Sequence, residues 1–386
     1  MTIINKEVKL LTISFSLIFA GFSAIQQFVT PFFSLTGQVS SGFQSLVLIY
    51  LFFLLSGPFS AITVSKFGAK KNMLVGSTIY SLYIFSLLSQ NILSIYFASS
   101  LLGIAASLLW TGQNSYLIRA TDEKSYGTNS GFFYSFFSFG SALGVLFLGF
   151  LIAKLNFKLP FAIYAFFPLI GSLVLTQLKN LKIKQPANQF KLAAKFITNK
   201  LALRLSIFYL SFSFISGLFF GIIPIEITKV LGVKYVGILS SVVFIMPILF
   251  SLYFGKLSDI KGRKATIVLS YIILTAGLIS MYFSHNPLLL VGGVFLLATN
   301  RAVIAPITSA LIGDISTEKN LEAQTALLWM AQNIGVISAL ILSSIVQTKL
   351  IYLISISAVL ISLVILFPVL KSDLKEIRLK LSQEIK

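Results

Sequence analysis

The chain has no cysteine, one histidine and only eleven acidic residues in 386. Without cysteine, disulfides and thiolate chemistry are excluded, while the redox compartment stays open. The lone histidine, His285, precedes Asn286-Pro287 and reads as a turn residue. No pair of carboxylates, His/Cys/Asp cluster, phosphate-cradling glycine loop or nucleophile triad is placed for water-excluded catalysis. Ser115 and its neighbours fall in an apolar run with no base close in sequence, so an intramembrane hydrolase has no support. The chain is expected to be no enzyme and to hold no metal or cofactor. Charge itself is scarce: 11% charged against 56% hydrophobic residues, with 37 phenylalanines, does not suit a water-soluble domain.

What is present is apolar sequence in long runs. A membrane span needs about 20 apolar residues, and twelve such runs lie between charged or turn-forming breaks: 10–34, 43–64, 72–89, 92–118, 127–153, 159–177, 204–226, 235–254, 265–284, 288–313, 322–347 and 350–370. The first is too long for a signal-peptide core and has no convincing cleavage site, so it reads as a retained helix. The expected class is an all-α integral membrane protein with twelve transmembrane helices.

A formal net charge of +19 invites a nucleic-acid reading, but the basic residues fall on one side. With the N-terminus placed in the cytoplasm, twenty-four of the thirty lie in inside segments; Lys154, Lys158, Lys229, Lys234 and Lys349 lie outside and Arg301 on neither side. This is the positive-inside asymmetry. It implies a multi-pass plasma-membrane protein with both termini cytoplasmic and a basic face toward anionic inner-leaflet lipid, needing no nucleic-acid partner. Between 179 and 203, Pro186 precedes Phe190, Ala193, Ala194, Ile197 and Leu201, one face of a helix. A helix lying in the inner headgroup layer is expected there, and the tail repeats the pattern through Leu374, Ile377, Leu381 and Ile385.

The most specific segment is Gly255-Lys256-Leu257-Ser258-Asp259-Ile260-Lys261-Gly262-Arg263-Lys264. A worn copy, Ala61 to Lys71, aligns Gly68 with Gly262 at an offset of 194 residues, about half the chain, and has lost the leading glycine and the aspartate. This pattern resembles the major facilitator superfamily of secondary transporters, in which G-x-L-x-D-x-x-G-R-K marks the cytoplasmic loop between helices 2 and 3 and recurs between helices 8 and 9. The resemblance implies two pseudo-symmetric six-helix bundles, here 1–178 and 204–386, joined by the amphipathic linker 179–203, working by alternating access. A narrower resemblance rests on Leu109-Trp110-Thr111-Gly112-Gln113-Asn114-Ser115-Tyr116-Leu117, Gly127-Thr128-Asn129-Ser130-Gly131-Phe132-Phe133, Phe22 through Gln27 and Tyr50 through Gly68. It is similar to the Unc-ninety-three-like branch, whose animal members include channel regulatory subunits and receptor chaperones. That keeps a non-transporting membrane regulator or chaperone as the alternative function.

By resemblance, Asp259 meets the start of the fifth helix near Tyr126 and Gly127, and Arg263 pairs with Asp314. With Gly255, Gly262, Lys264, Gly68 and Lys70 these form a latch on the cytoplasmic side. In the first copy Ser65 replaces the aspartate and Arg119 occupies the position roughly matching Asp314, so the latch is expected to be asymmetric. Two runs share W-x-x-Q-N, at Trp110-Gln113-Asn114 and Trp329-Gln332-Asn333, each set on one helix face. The two tryptophans are candidates for an inner constriction. Arg301 falls near the middle of its run, where a charge costs at least ~2.5 kcal/mol. The superfamily lines its cavity with helices 1, 4, 7 and 10, so Arg301, Asn300, Gln26, Gln27, Gln113 and Asn114 are the candidate substrate-binding residues. Ten of the eleven acidic residues lie at inner segments and Glu226 lies near the outer end of its run, so proton symport through a midplane carboxylate has no support. A monomeric carrier of a small solute, anionic by preference because of Arg301, is the resulting expectation.

Overall fold

Within lipid every backbone N–H and C=O must be satisfied inside the protein, which for apolar runs of this length means helix. In a computed structural model of the chain, which describes residues 4–34, 38–181, 192, 200–220, 222–232 and 234–371, all regular structure is helical. The amphipathic face expected across the linker, and the repeated pattern in the tail, lie outside the described residues, Leu201 excepted.

In chain order the helices are α1 Lys6–Ser34, α2 Val39–Leu55, α3 Gly57–Phe67, α4 Ala69–Ser89, α5 Ile92–Arg119, α6 Tyr126–Leu155, α7 Lys158–Tyr164, α8 Phe166–Leu175, α9 Lys200–Phe220, α10 Ile222–Val230, α11 Lys234–Lys261, α12 Arg263–Tyr282, α13 Pro287–Ile315, α14 Leu321–Ile345 and α15 Thr348–Lys371. Among the described residues eleven spans are long and apolar enough to cross a membrane, and α2 with α3 makes a twelfth, bent by 58°. The second span is therefore a broken helix rather than the single run expected from 43–64. Pro58 explains the break: lacking an N–H, it sits at the start of a new helix. The sixth run likewise divides at Ala165, because Pro168 cannot donate to the carbonyl of Tyr164. Asn286, in the turn after His285, caps α13 by accepting from Leu288 N–H at 2.9 Å.

The chain divides into two compact units, one of residues 1–121, 136–190 and 318–329 and the other of 122–135, 191–317 and 330–386. In the first unit α5 packs on α2, α3 and α4, and α8 packs on α1 and α4. Hydroxyls bridge these helices at buried sites: Ser14 donates to Gly171 O at 2.6 Å, and Ser77 and Ser172 share a bond of 2.7 Å. Phe15, Tyr80, Tyr83 and Tyr116 fill the interior. In the second unit α13 packs on both α11 and α12, while α15 packs on α9 and α12. There Ser251 donates to Ala302 O at 3.0 Å and Tyr271 meets Ser362 at 2.5 Å.

Candidate functional site

The two copies of the charged turn share one backbone shape. Gly68 has φ 88 and ψ 152; Gly262 has φ 87 and ψ 156. Positive φ is strained for any residue with a Cβ, so glycine at both positions lets one helix end and the next begin without a loop.

In the complete copy the side chains form one network inside the second unit. Both Asp259 oxygens accept from the first turn of α6: Oδ1 from Gly127 N–H at 2.9 Å, and Oδ2 from Thr128 N–H at 2.7 Å and Thr128 Oγ1 at 2.6 Å. A carboxylate here satisfies amides that have no partner within the helix and meets the positive end of its dipole. Arg263, only 6% exposed, donates from one guanidinium arm to Asp259 Oδ1 at 2.6 Å and from Nε to Asp314 Oδ2 at 2.6 Å. The same arm reaches Ser258 Oγ at 2.7 Å. One buried cation thus holds two carboxylates, and the second negative charge is offset by the α6 amides. The approach depends on glycine: a Cβ on Gly255 would collide with Gly127 O. Lys264 stands outside this network, exposed.

The worn copy is built differently. Ser65 is buried, and its hydroxyl has no hydrogen-bond partner among the described residues. Arg119 at the end of α5 pairs with Glu322 in the first turn of α14 at 2.5 Å and donates to Glu318 O at 3.2 Å. Five residues before Arg119, Asn114 donates to Thr325 Oγ1 at 3.2 Å, one turn on from Glu322. Lys70 donates to the carbonyls of Thr176 and Leu178, at 2.7 and 2.6 Å, closing the end of α8.

The two tryptophans meet, with ring centroids 4.9 Å apart. Phe15, Phe19 and Phe137 surround Trp110 at 5.5, 5.0 and 5.6 Å, and Phe53 lies 6.0 Å from Trp329. All belong to the first unit. Gln113, one turn from Trp110, is fully buried, and neither of its amide atoms has a partner among the described residues. Gln26 and Gln27 are half-buried on α1, and Gln26 donates to Tyr50 OH at 2.8 Å.

Arg301 is the central residue of the 29-residue α13 and is half-buried. Its neighbour Asn300 turns away and donates to Ser270 O at 2.7 Å. Pro306 leaves the carbonyl of Ala302 without its helical donor, and Ser251 supplies that bond. Tyr134 of α6 lies within electrostatic range of the guanidinium.

These features have a counterpart among known families: the family model of the Major Facilitator Superfamily matches residues 10–233 and 205–383. The chain belongs to the major facilitator superfamily. It is therefore a multi-pass membrane protein of a family of small-solute transporters, and not an enzyme. Over 142 residues, 36% of the chain and 32% of the relative, it is 32% identical to UNC93-like protein MFSD11 of Xenopus tropicalis. Over 127 residues, 33% of the chain and 26% of the relative, it is 31% identical to UNC93-like protein 3 of Arabidopsis thaliana. The match thus spans a third or less of these relatives' own length. The solved proton:xylose symporter XylE shares the fold, with a TM-score of 0.74 at 12% identity over 94% of this chain and 95% of that one.

Within this superfamily member, motif reading anticipates the contacts of Asp259, Arg263 and Asp314 but misses Glu322. The signal was available. The 194-residue offset that aligns Gly68 with Gly262 also aligns Ser65 with Asp259 and Thr128 with Glu322. Acid and hydroxyl have changed places between the copies: Asp259 facing Thr128 in one, Ser65 and Glu322 in the other.

Proposed function

We propose that the protein moves a small polar solute, anionic by preference, across the plasma membrane by alternating access, with both termini in the cytoplasm. The observation that carries the anionic preference is Arg301, a permanent cation at the centre of an apolar span. Such a charge is retained where it serves a pathway or a site. The structural alternative, that it stabilises the backbone opened by Pro306, is weakened because Ser251 already serves the Ala302 carbonyl. Gln113 supports a polar solute or water, since a buried amide with both atoms unpartnered among the described residues is costly unless something else satisfies it. Asn114 and Asn300 are engaged with Thr325 and Ser270, so we assign them to shaping the cavity wall rather than to first contact with solute. Gln26 and Gln27 stay in the proposed lining.

In this reading the Asp259–Arg263–Asp314 network, with Gly255, Gly262 and Lys264, and the Arg119–Glu322 pair, with Gly68 and Lys70, hold the inner side closed. Trp110 and Trp329 narrow the path beneath the solute. The basic segments fix orientation through the positive-inside rule.

The test is a thermal-shift screen of the purified protein against carboxylate and neutral metabolites, followed by flux of any hit in proteoliposomes. A ligand of the folded state raises the apparent unfolding temperature. Carboxylates should dominate the hits. Arg301→Lys keeps the charge but loses the planar fork that grips a carboxylate at two points, so it should weaken the shift at least tenfold in ligand concentration, about 1.4 kcal/mol. Arg301→Gln should abolish the shift. Hits confined to neutral solutes that survive Arg301→Gln would end the anionic reading. Absence of flux together with a stoichiometric co-purifying membrane protein would favour the regulator alternative.

A further inference from the structure

The first unit carries a cavity of about 250 Å³ at its charged end, lined by Gly68, Lys70, Lys71, Tyr116, Arg119 and Asn180 among others. Three of these are cations, no acidic residue is in the lining among the described residues, and Tyr116 of that lining donates to Glu7 Oε2 at 2.6 Å. The comparison between the two turn copies sharpens this. Where the complete copy has Asp259 the worn one has Ser65, and the same offset aligns Asp314 with Ala120, next to Arg119. Neither carboxylate of the complete copy is kept. Glu322 returns one negative charge to Arg119, but it is fully buried and not part of the cavity wall. Lys70 spends two of its three N–H groups on the carbonyls that end α8, and its third has no partner among the described residues. Lys71 is exposed. The first turn of α4 follows Gly68, which offers no side chain to cap it.

We propose that this cavity is a binding site for a phosphate-bearing group, held by Lys70, Lys71 and Arg119. Its volume falls below the range usual for whole metabolites and fits a headgroup-sized anion. Basic pockets between membrane helices recognise phospholipid headgroups through this chemistry, and a free phosphate in solution presents the same oxygens. The site is separate from the proposed solute pathway, and its occupancy bears on the Arg119–Glu322 pair because Arg119 belongs to both.

The experiment uses the full chain purified in neutral detergent, with apparent unfolding temperature followed during three titrations. These are inorganic phosphate against chloride at matched ionic strength, phosphatidylglycerol in mixed micelles, and phosphatidylcholine in mixed micelles. Stabilisation by phosphatidylglycerol alone identifies a lipid headgroup site; stabilisation by inorganic phosphate identifies a soluble-anion site. In either case Lys71→Gln should raise the half-saturating concentration roughly fivefold, the effect of one lysine near an anionic group, and Lys70→Gln should do the same. Lys154→Gln, remote in sequence from the lining residues, should change nothing. Because Lys70 also closes α8, Lys71 is the deciding variant. No stabilisation by either anionic probe, or an equal shift in wild type and Lys71→Gln, overturns the proposal.

Discussion

Asp259 shows how much one side chain holds. Its two oxygens accept three bonds from the start of α6 and one from Arg263. Bonds to a charged partner contribute roughly 1.5–3 kcal/mol each, and they are not additive. Asp259→Asn keeps the shape and removes the charge, so Thr128 and Gly127 lose their strong acceptor while Arg263 retains Asp314. The expected outcome is a loss of about 2 kcal/mol, read as a lower apparent unfolding temperature in detergent with normal membrane insertion. Asp314→Asn should cost a similar amount through Arg263. If Asp259→Asn were neutral while Asp314→Asn was not, the contact with α6 would contribute nothing, and the network would reduce to the Arg263–Asp314 pair.

At the scale of elements, the repeat is the informative object. Spans were legible because apolar runs bounded by charge leave few alternatives to helix, and the contacts of Asp259, Arg263 and Asp314 were legible through the resemblance of the motif to that of the superfamily. The break between α2 and α3 was less visible. Pro58 sits inside a run long enough for one span, and the Ser56-Gly57-Pro58 dip that marks the bend is too short to divide it. Asn300 was unreadable in another sense: position on the helix made it a candidate lining residue, but its amide is used by Ser270 across a helix contact that no linear pattern reports. Glu322 is hidden because the worn copy shows its loss at Ser65, while the compensating carboxylate stands far away in sequence, 194 residues beyond Thr128.

That exchange makes a prediction for the elements themselves. Glu322→Thr removes the counter-ion of a largely buried arginine, which costs about 3 kcal/mol when one partner of such a pair is deleted. If the copies are physically equivalent, Ser65→Asp returns a carboxylate to the place Asp259 holds in the other copy, and the double variant should regain more than half of the lost stability. On the same equivalence, Ser65→Asp alone adds a second carboxylate near Glu322 and should be destabilising. Thermal unfolding of the four proteins completes the cycle. A double variant no more stable than Glu322→Thr would mean that residue 65 does not face α14 as residue 259 faces α6.

For the whole molecule, the question is whether these contacts belong to one member of a pair of states. If the network at Asp259 is the latch proposed above, alternating access must release it in each cycle, and the contact cannot be permanent. The chain's lack of cysteine makes this measurable without background. Ser135 on α6 donates to Ile248 O on α11 at 2.6 Å, and Leu252 lies one turn further along the same helix face. Cysteines at Ser135 and Leu252 joined by a short bifunctional thiol reagent should therefore crosslink efficiently in the wild-type background. A loss of about 2 kcal/mol from the closed arrangement alone would move a two-state equilibrium roughly thirtyfold, so Asp259→Asn should lower the initial crosslinking rate measurably. A solute that favours opening to the same side should lower it in the wild type as well. Equal rates in wild type and Asp259→Asn, with both proteins inserted and folded, would mean that the α6–α11 contact is fixed packing, and the network would then stabilise the fold without taking part in movement.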